Sequence, residues 1–349
     1  MFSAPTAIPA EIAALPKVNL HTHLEGSVRP ETFWELCREQ RLELPFKRSD
    51  IARALQVTGE EQSLLDYLEK IARVYPVLKN SEALQRTAYE AAVDAARDGV
   101  VYLELRAGPL THARPDLPLE KVVEAMLVGL QQAEHETGTV CRLIIAALRN
   151  HPVAENIRLA QIAVEFKNEG GVGFDLAGDE ANCPAQLHIE AIEIARRGGL
   201  GITIHAGEAA GSENVQYAIA ELDARRIGHG IHSVEDVNVM ELLKQKGVLL
   251  ELCPTSNIHT RTIANIRSHP VRYFFEYGIR IAIGDDDPVT SDTRLSRELA
   301  ILHQQFGFSV AELQEIQKMA LQAAFIDDVL RQHLYRLLDI TVCSKEQKV

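Results

Sequence analysis

Four short clusters hold the residue types that bind a metal and move a proton: His21 and His23 within Lys17–Ser27, His205 and Glu208 in His-Ala-Gly-Glu, His229 in Gly-His-Gly, and Asp285, Asp286 and Asp287 in Gly-Asp-Asp-Asp-Pro. Neutral imidazole is the commonest protein ligand of zinc, and an i, i+2 pair on an extended segment faces one way, so His21 and His23 can grip one object. That pair alone is weak evidence. A bare His-x-His is more often a surface accident, a lone histidine at a strand end is more often structural, and an Asp before Pro is often only a turn residue. Three histidines with a carboxylate at independent strand ends form a complete N/O set for zinc that leaves a position for water. Zinc lowers the pKa of bound water from 15.7 to about 7, which suits attack on an aromatic carbon. A carboxylic acid such as Glu208 can make that carbon electrophilic by protonating the ring nitrogen beside it. An unliganded His229 suits the proton handling on the water.

A scaffold must bring those clusters to one place. Eight short β-branched or apolar runs recur: Val18–His23, Val100–Arg106, Cys141–Leu148, Gly171–Leu176, Gly201–His205, Arg226–Gly230, Gly247–Leu252 and Ile279–Gly284. Between them lie stretches such as Leu119–His135 and Glu213–Ala224, whose apolar residues recur at threes and fours. Eight β-then-α units predict an α/β chain folded as a (β/α)8 TIM barrel, in which all the C-terminal strand ends meet on one face. A doubly wound open sheet is the structural alternative. No Pro/Ser-rich linker divides the chain, so residues 1–349 read as a single barrel domain. The segment Arg29–Asp98 is longer than one barrel helix requires, and Thr32–Gln40, Ser63–Val77 and Ser81–Arg97 read as helices inserted after the first strand. Such an insertion is either a lid or pocket wall over the barrel mouth, or padding. From Ser309 onward the pattern is of helices closing the barrel, with Lys345–Val349 frayed.

With 46% hydrophobic residues the chain can build a large core, and 36 basic against 49 acidic side chains give a net charge of −13. That balance, without a basic run, excludes a nucleic acid polymer as partner. Residues 1–16 lack a positive start followed by an apolar run, and no segment is long and apolar enough to cross a bilayer, so the expected compartment is the cytoplasm. Five scattered cysteines, Cys37, Cys141, Cys183, Cys253 and Cys343, suit reduced thiols. Oligomeric state is not legible.

His-Thr-His-Leu-Glu-Gly-Ser, Asp-Leu-Ala-Gly-Asp-Glu at 175–180, His-Ala-Gly-Glu, Gly-His-Gly, Cys-Pro-Thr-Ser-Asn at 253–257 and Asp-Asp-Pro at 286–288 together resemble the adenosine deaminase family of the metal-dependent amidohydrolase superfamily. The resemblance implies hydrolytic deamination of a 6-aminopurine nucleoside, adenosine or 2′-deoxyadenosine, to the inosine product and ammonia. It implies one zinc per chain on His21, His23, His205 and Asp286, with the activated water as a further ligand. It also implies that Glu208 protonates purine N1, that His229 orients the water and helps deprotonate it, that Asp287 meets N7, and that the Gly178 backbone amide meets N3. Gly178 has no side chain to keep a flat ring away. The zinc deaminase signature H-x-E with P-C-x-x-C is absent. No lysine ends the fourth run, so one metal is expected rather than two.

Glu25 departs from the family pattern, which more often has an aspartate there that, by resemblance, meets the ribose 5′-hydroxyl. Glu25 follows His23 by two and is expected on the same strand face, facing the sugar or else buttressing the histidine strand. Relatives acting on adenine or aminodeoxyfutalosine share that glutamate, which keeps those substrates open. Asp285 replaces the usual Ser or Thr, and either tunes Asp286 or faces solvent. Two further alternatives are another amidohydrolase reaction on the same metal and a catalytically inactive binding relative.

Overall fold

The structure, a computed structural model, describes residues 7–44 and 46–343. Side chains beyond Asp339 are not among the described ones, and Lys345–Val349 lie outside them, so the expected fraying there has no structural counterpart. Eight parallel strands, β1 (Lys17–His23), β2 (Val100–Ala107), β3 (Val140–Leu148), β4 (Gly171–Ala177), β5 (Gly201–Ala206), β6 (Arg226–His229), β7 (Leu249–Leu252) and β8 (Arg280–Ile283), follow one another in sequence order around a barrel. The open doubly wound alternative is excluded by that order, because its strand sequence would reverse at a switch point. Helices such as Leu119–Thr137 and Val153–Glu165 form the outer layer, and residues such as Leu103, Leu105, Leu143 and Ile145 pack beneath them in one continuous core.

Closure happens at the C-terminal end. The backbone N–H of Asp286 donates to His21 O at 2.9 Å, and that of His23 donates to Asp286 O at 2.7 Å, which bridges Thr22 to Asp286. The lower half of the β1–β8 seam is covered by helix Val310–Ala323, whose Gln317 Oε1 accepts the Val18 N–H at 2.9 Å. That helix starts with a capping box between Ser309 and Glu312. The seam therefore joins predicted metal ligands by backbone hydrogen bonds, so their spacing is part of the fold itself.

Within the segment 29–98, helix Ser81–Arg97 packs on β2 and on helix Leu119–Thr137, as a member of the outer layer. The helices additional to the barrel are Pro30–Glu39, Ile51–Leu55 and Leu64–Ala72, the last capped by Ser63, which accepts the Asp66 N–H. Pattern reading runs Ser63–Val77 together. In the structure the helix stops at Ala72 and a single 3-10 turn, Tyr75–Val77, follows with Pro76 inside it.

Candidate active site

β1 ends in the two histidines, β5 in His205, β6 in His229, and the turn after β8 supplies Asp286 and Asp287. The rings of His21, His23, His205 and His229 gather around one point, with centroid separations from 4.8 to 5.4 Å. Asp286 Oδ1 lies 3.4 Å from His21 Nε2 and 3.3 Å from His23 Nε2. The pairing of β1 with β2 slips between Asn19 and Thr22, yet both rings still reach the same carboxylate. His229 and Asp286 each have φ near +60°, a conformation costing about 1–3 kcal/mol in a residue other than glycine. Strained backbone thus sits at the convergence point, where it aims two side chains inward.

The donor set fits a zinc ion. His21 Nδ1 is 2.8 Å from Glu251 Oε2, so that nitrogen carries the proton and Nε2 presents a lone pair. That Nε2 is buried and has no hydrogen-bond partner. His205 is oriented the same way by Asp175, at 2.9 Å from Nδ1. Lone pairs of two imidazoles and the oxygens of Asp286 therefore face one another in a buried space, an arrangement that is repulsive without a cation between them. Ligand-capable atoms of His21, His205 and His229 lie within 4.8 Å of one another, as do those of His21, Cys253 and Asp286. Geometry alone thus also brings His229 and Cys253 to the cluster. The sequence marks Cys253 only as a reduced thiol, and burial pushes that thiol well above the usual range, which disfavours a thiolate ligand.

The partners behind the ligands form a charged chain through the barrel interior. Arg106 donates to Glu251 at 2.7 Å, to Asp175 at 3.0 Å and to the carbonyl of Leu20 at 2.7 Å. Arg226 donates to Glu104 at 2.5 Å and makes a 2.6 Å ion contact from Nε to Glu251, with its N–H not aligned for a hydrogen bond. None of these roles was read from the sequence, although a charge inside an otherwise apolar strand, as in Leu-Leu-Glu-Leu of β7, was the available signal.

Glu208 is buried, with Oε2 3.6 Å from His229 Nε2. Burial, reinforced by the Asp286 and Glu180 carboxylates, pushes its pKa well above the ordinary carboxylate range, which favours its protonated form. Its loop is fixed by Glu180, whose carboxylate accepts the N–H groups of Gly207, Glu208 and Ala209 at 2.7–2.9 Å. Asp287 is likewise pushed up by burial and by Asp286. Its Oδ2 accepts from the Tyr67 hydroxyl at 2.9 Å, while buried Oδ1 has no partner. A Cβ on Gly26 would come within 1.8 Å of that Oδ1, so only glycine allows Asp287 its position. Gly178, at φ +94°, turns the chain at the end of β4 beside the same cavity.

Glu25 is buried and lines the cavity, but not as the strand reading expected. β1 ends at His23 and the chain turns into a 3-10 turn, Glu25–Ser27. Glu25 Oε1 accepts the Gly108 N–H at 3.0 Å and meets His112 Nε2 at 2.9 Å. Asp285 does not face solvent. It is buried, accepts hydrogen bonds from Asn19 at 2.8 Å and from Thr22, and burial raises it to about 6. Its backbone position beside the seam makes it a tie between β1 and the turn after β8.

These groups line a cavity of about 480 Å³, roofed by Leu64, Tyr67, Leu68 and Ile71 of helix Leu64–Ala72. That volume falls within the range of small-ligand sites. Among the described residues, no lysine or arginine lines it, whereas Glu25, Glu69, Asp179, Glu208, Asp286 and Asp287 do. A larger cavity, about 1420 Å³, lies at the opposite end of the barrel beside Arg142, Arg225, Arg280 and Phe325. It contains none of the convergent donors, so chemistry rather than size identifies the site.

Comparison with known proteins points the same way. Residues 16–340 match the family model described as Adenosine deaminase. An adenosine deaminase of Clostridium acetobutylicum is 35% identical over 333 residues, covering 95% of this chain and 99% of that protein. The Arabidopsis N6-mAMP deaminase superposes with a TM-score of 0.85 at 27% identity, over 94% of this chain and 99% of that one. An amidohydrolase from Burkholderia ambifaria, solved with bound Zn, superposes with a TM-score of 0.87 at 25% identity, over 97% and 95% of the two chains.

Proposed function

The chain belongs to the adenosine deaminase family and is a hydrolase of cyclic-amidine C–N bonds, and from that premise we propose that it removes the 6-amino group of adenosine or 2′-deoxyadenosine, with one zinc on His21, His23, His205 and Asp286. The observation that carries this reading is the gathering of four histidine rings and Asp286 around one point, with the buried, unpartnered Nε2 of His21 among them and the buried Glu208 3.6 Å from His229, in one cavity. When bound, zinc supplies the Lewis acidity that brings the pKa of water down to about 7.

The chain's own groups divide the remaining work. Glu208 donates its proton to purine N1, which draws electron density from C6. His229, held by Asn257 at 3.1 Å, orients the attacking water. Asp287, whose protonated form burial favours, donates from its unpartnered Oδ1 to N7, an acceptor that a charged carboxylate would repel. The Gly178 backbone amide meets N3. Helix Leu64–Ala72 serves as the lid, excluding water from the purine with its apolar residues and reaching the machinery through Tyr67.

The cavity favours a nucleoside over a nucleotide. Among the described residues no lysine or arginine lines it to receive a phosphate, and the carboxylates of Glu25, Glu69 and Asp179 would repel one. The Arabidopsis neighbour is named for a monophosphate, which makes AMP the comparison substrate that tests this preference. We place the enzyme in the cytoplasm as a barrel of residues 1–349, which fits free thiols at Cys37, Cys141, Cys183 and Cys253 and, among the described residues, no helix long and apolar enough to cross a membrane.

Ammonia release measured on adenosine, 2′-deoxyadenosine, adenine, AMP and aminodeoxyfutalosine tests the reading. We expect turnover of the two nucleosides to exceed that of AMP by at least about 10²-fold, the scale set by an uncompensated charge in a closed site. Ester or amide hydrolysis without ammonia from any aminopurine would instead assign the site to another amidohydrolase reaction.

A further inference from the structure

His229 is held from behind by residues that no substrate touches. The backbone N–H of Val271 donates to His269 Nδ1 at 3.0 Å, so that nitrogen carries no proton. Burial keeps His269 neutral, lowering its pKa to about 3, and a neutral imidazole with a bare Nδ1 has its hydrogen on Nε2. His269 Nε2 lies 3.3 Å from Asn257 Oδ1, the oxygen being the end of the amide that can accept. The amide nitrogen then points the other way and donates to His229 Nδ1 at 3.1 Å. His229 Nδ1 is thereby an acceptor, and the remaining hydrogen sits on Nε2, 3.6 Å from Glu208. Asn257 is itself fixed, since its backbone N–H donates to Cys253 O at 2.9 Å and its carbonyl accepts from Ile263 N at 3.0 Å.

We propose that Val271, His269 and Asn257 form a relay that sets His229 in its Nε2–H tautomer, so that His229 is a hydrogen-bond donor to the attacking oxygen and not the base that takes the water's proton. Val271 is the origin of the relay because a backbone N–H can only donate, and each later orientation follows from it. His269 and Asn257 are positioning residues. The inference rests on the deaminase reading above and changes the role that family resemblance gives His229.

Proton bookkeeping then runs through Glu208. It gives its proton to N1, and as a carboxylate accepts the proton released when the water oxygen bonds C6. It passes that proton to the amino nitrogen, the C6–N bond breaks and ammonia leaves. The proton of the C6 hydroxyl returns to Glu208, leaving the C6 carbonyl, with N1 protonated. His229 donates to the oxygen throughout and its own protonation does not change.

Nitrogen-15 NMR on the zinc-loaded protein without substrate, labelled at histidine, with His229→Gln as the assignment control, reads the tautomer without turnover. We expect an unprotonated Nδ1 and a protonated Nε2 at His229. Asn257→Asp presents a carboxylate that accepts from both neighbours and so moves the His229 proton to Nδ1. Its kcat should fall about 10²-fold to 10⁴-fold, as misplacing a catalytic imidazole's proton does elsewhere, with KM and zinc content little changed. His269→Phe, which frees the Asn257 amide to turn over, should show mixed tautomers and a loss of about tenfold in kcat. A protonated Nδ1 in the wild type overturns the relay, as does an Asn257→Asp enzyme with a shifted proton and kcat within about threefold of wild type. A wild type that releases no ammonia from any aminopurine overturns the deaminase reading instead, and the tautomer is still decided by the spectrum.

Discussion

The two ends of the barrel interior are built from the same materials and balanced differently. Toward the N-terminal end, Glu104, Arg226, Glu251 and Arg106 alternate in sign, and every carboxylate meets a guanidinium within 3.0 Å. Phe325 covers that end, its ring 3.8 Å from the Arg226 guanidinium carbon and its N–H on Glu104 at 2.8 Å. At the C-terminal end the Nε2 atoms of His21 and His23 face Asp286 with no lysine or arginine among the described residues lining the cavity, and His229 and Asp286 hold left-handed backbone conformations. A satisfied ion chain stabilises and orients. An unsatisfied one leaves binding free energy for a metal and a substrate. Glu251 and Asp175 belong to both ends, and through them the balanced half aims the unbalanced half.

Removing the metal should have the largest effect. Chelation, or His205→Ala, is expected to abolish deamination, and the metal-free protein should be less stable by about 4 kcal/mol than protein at a free zinc concentration 1,000 times Kd, and so melt at a lower temperature. Elemental analysis alongside activity checks this, and a metal-free protein that remains fully active would remove the basis of the comparison. Glu208→Gln should keep its zinc and lose roughly 10²-fold to 10⁴-fold in kcat, because the proton donor goes while the lone-pair ring stays. Loss of zinc in that variant would move Glu208 from the chemistry into the metal cage.

The link between the ends is tested by Glu251→Gln, which preserves shape but weakens the acceptor on His21 and the pairing with both arginines. Competition with a chelator should show zinc affinity lower by about 10-fold to 100-fold. Affinity unchanged in a variant with a lower melting temperature would make the chain structural only. Glu25→Asp draws back a carboxylate held by Gly108 and His112. It should shift kcat/KM between nucleosides that differ at the 5′ position by about tenfold, with zinc content constant. A uniform scaling on all nucleosides would leave Glu25 as a buttress. Tyr67→Phe should cost least, about 1 kcal/mol or roughly fivefold in kcat/KM, for the loss of one neutral hydrogen bond to Asp287 from the lid. Stopped-flow turnover with the purine and with its 7-deaza analogue should show the loss only for the ring that has N7.

Much of the site was legible in the sequence because barrel topology sends every strand's C-terminal end to one face, so each motif could be placed from its strand alone. The strand runs, and His21, His23, His205, Glu208, His229 and the Asp285–Asp287 cluster as candidates, needed only apolar runs, order and residue chemistry, whereas the separate roles of Asp286 and Asp287 came from the family resemblance. Sequence could not decide where β1 stops: Glu25 continues the alternation on paper, but the backbone turns after His23 and aims it by a 3-10 turn instead. Nor could it tell that Asp285 is buried on Asn19 and Thr22, since neighbours 266 and 263 positions apart share no local pattern. The charged chain behind the ligands and the direction of the Asn257 amide are tertiary facts for the same reason. A side chain's type is written in the sequence, whereas the partner that fixes its proton or its charge is chosen by contacts that form only when the barrel closes.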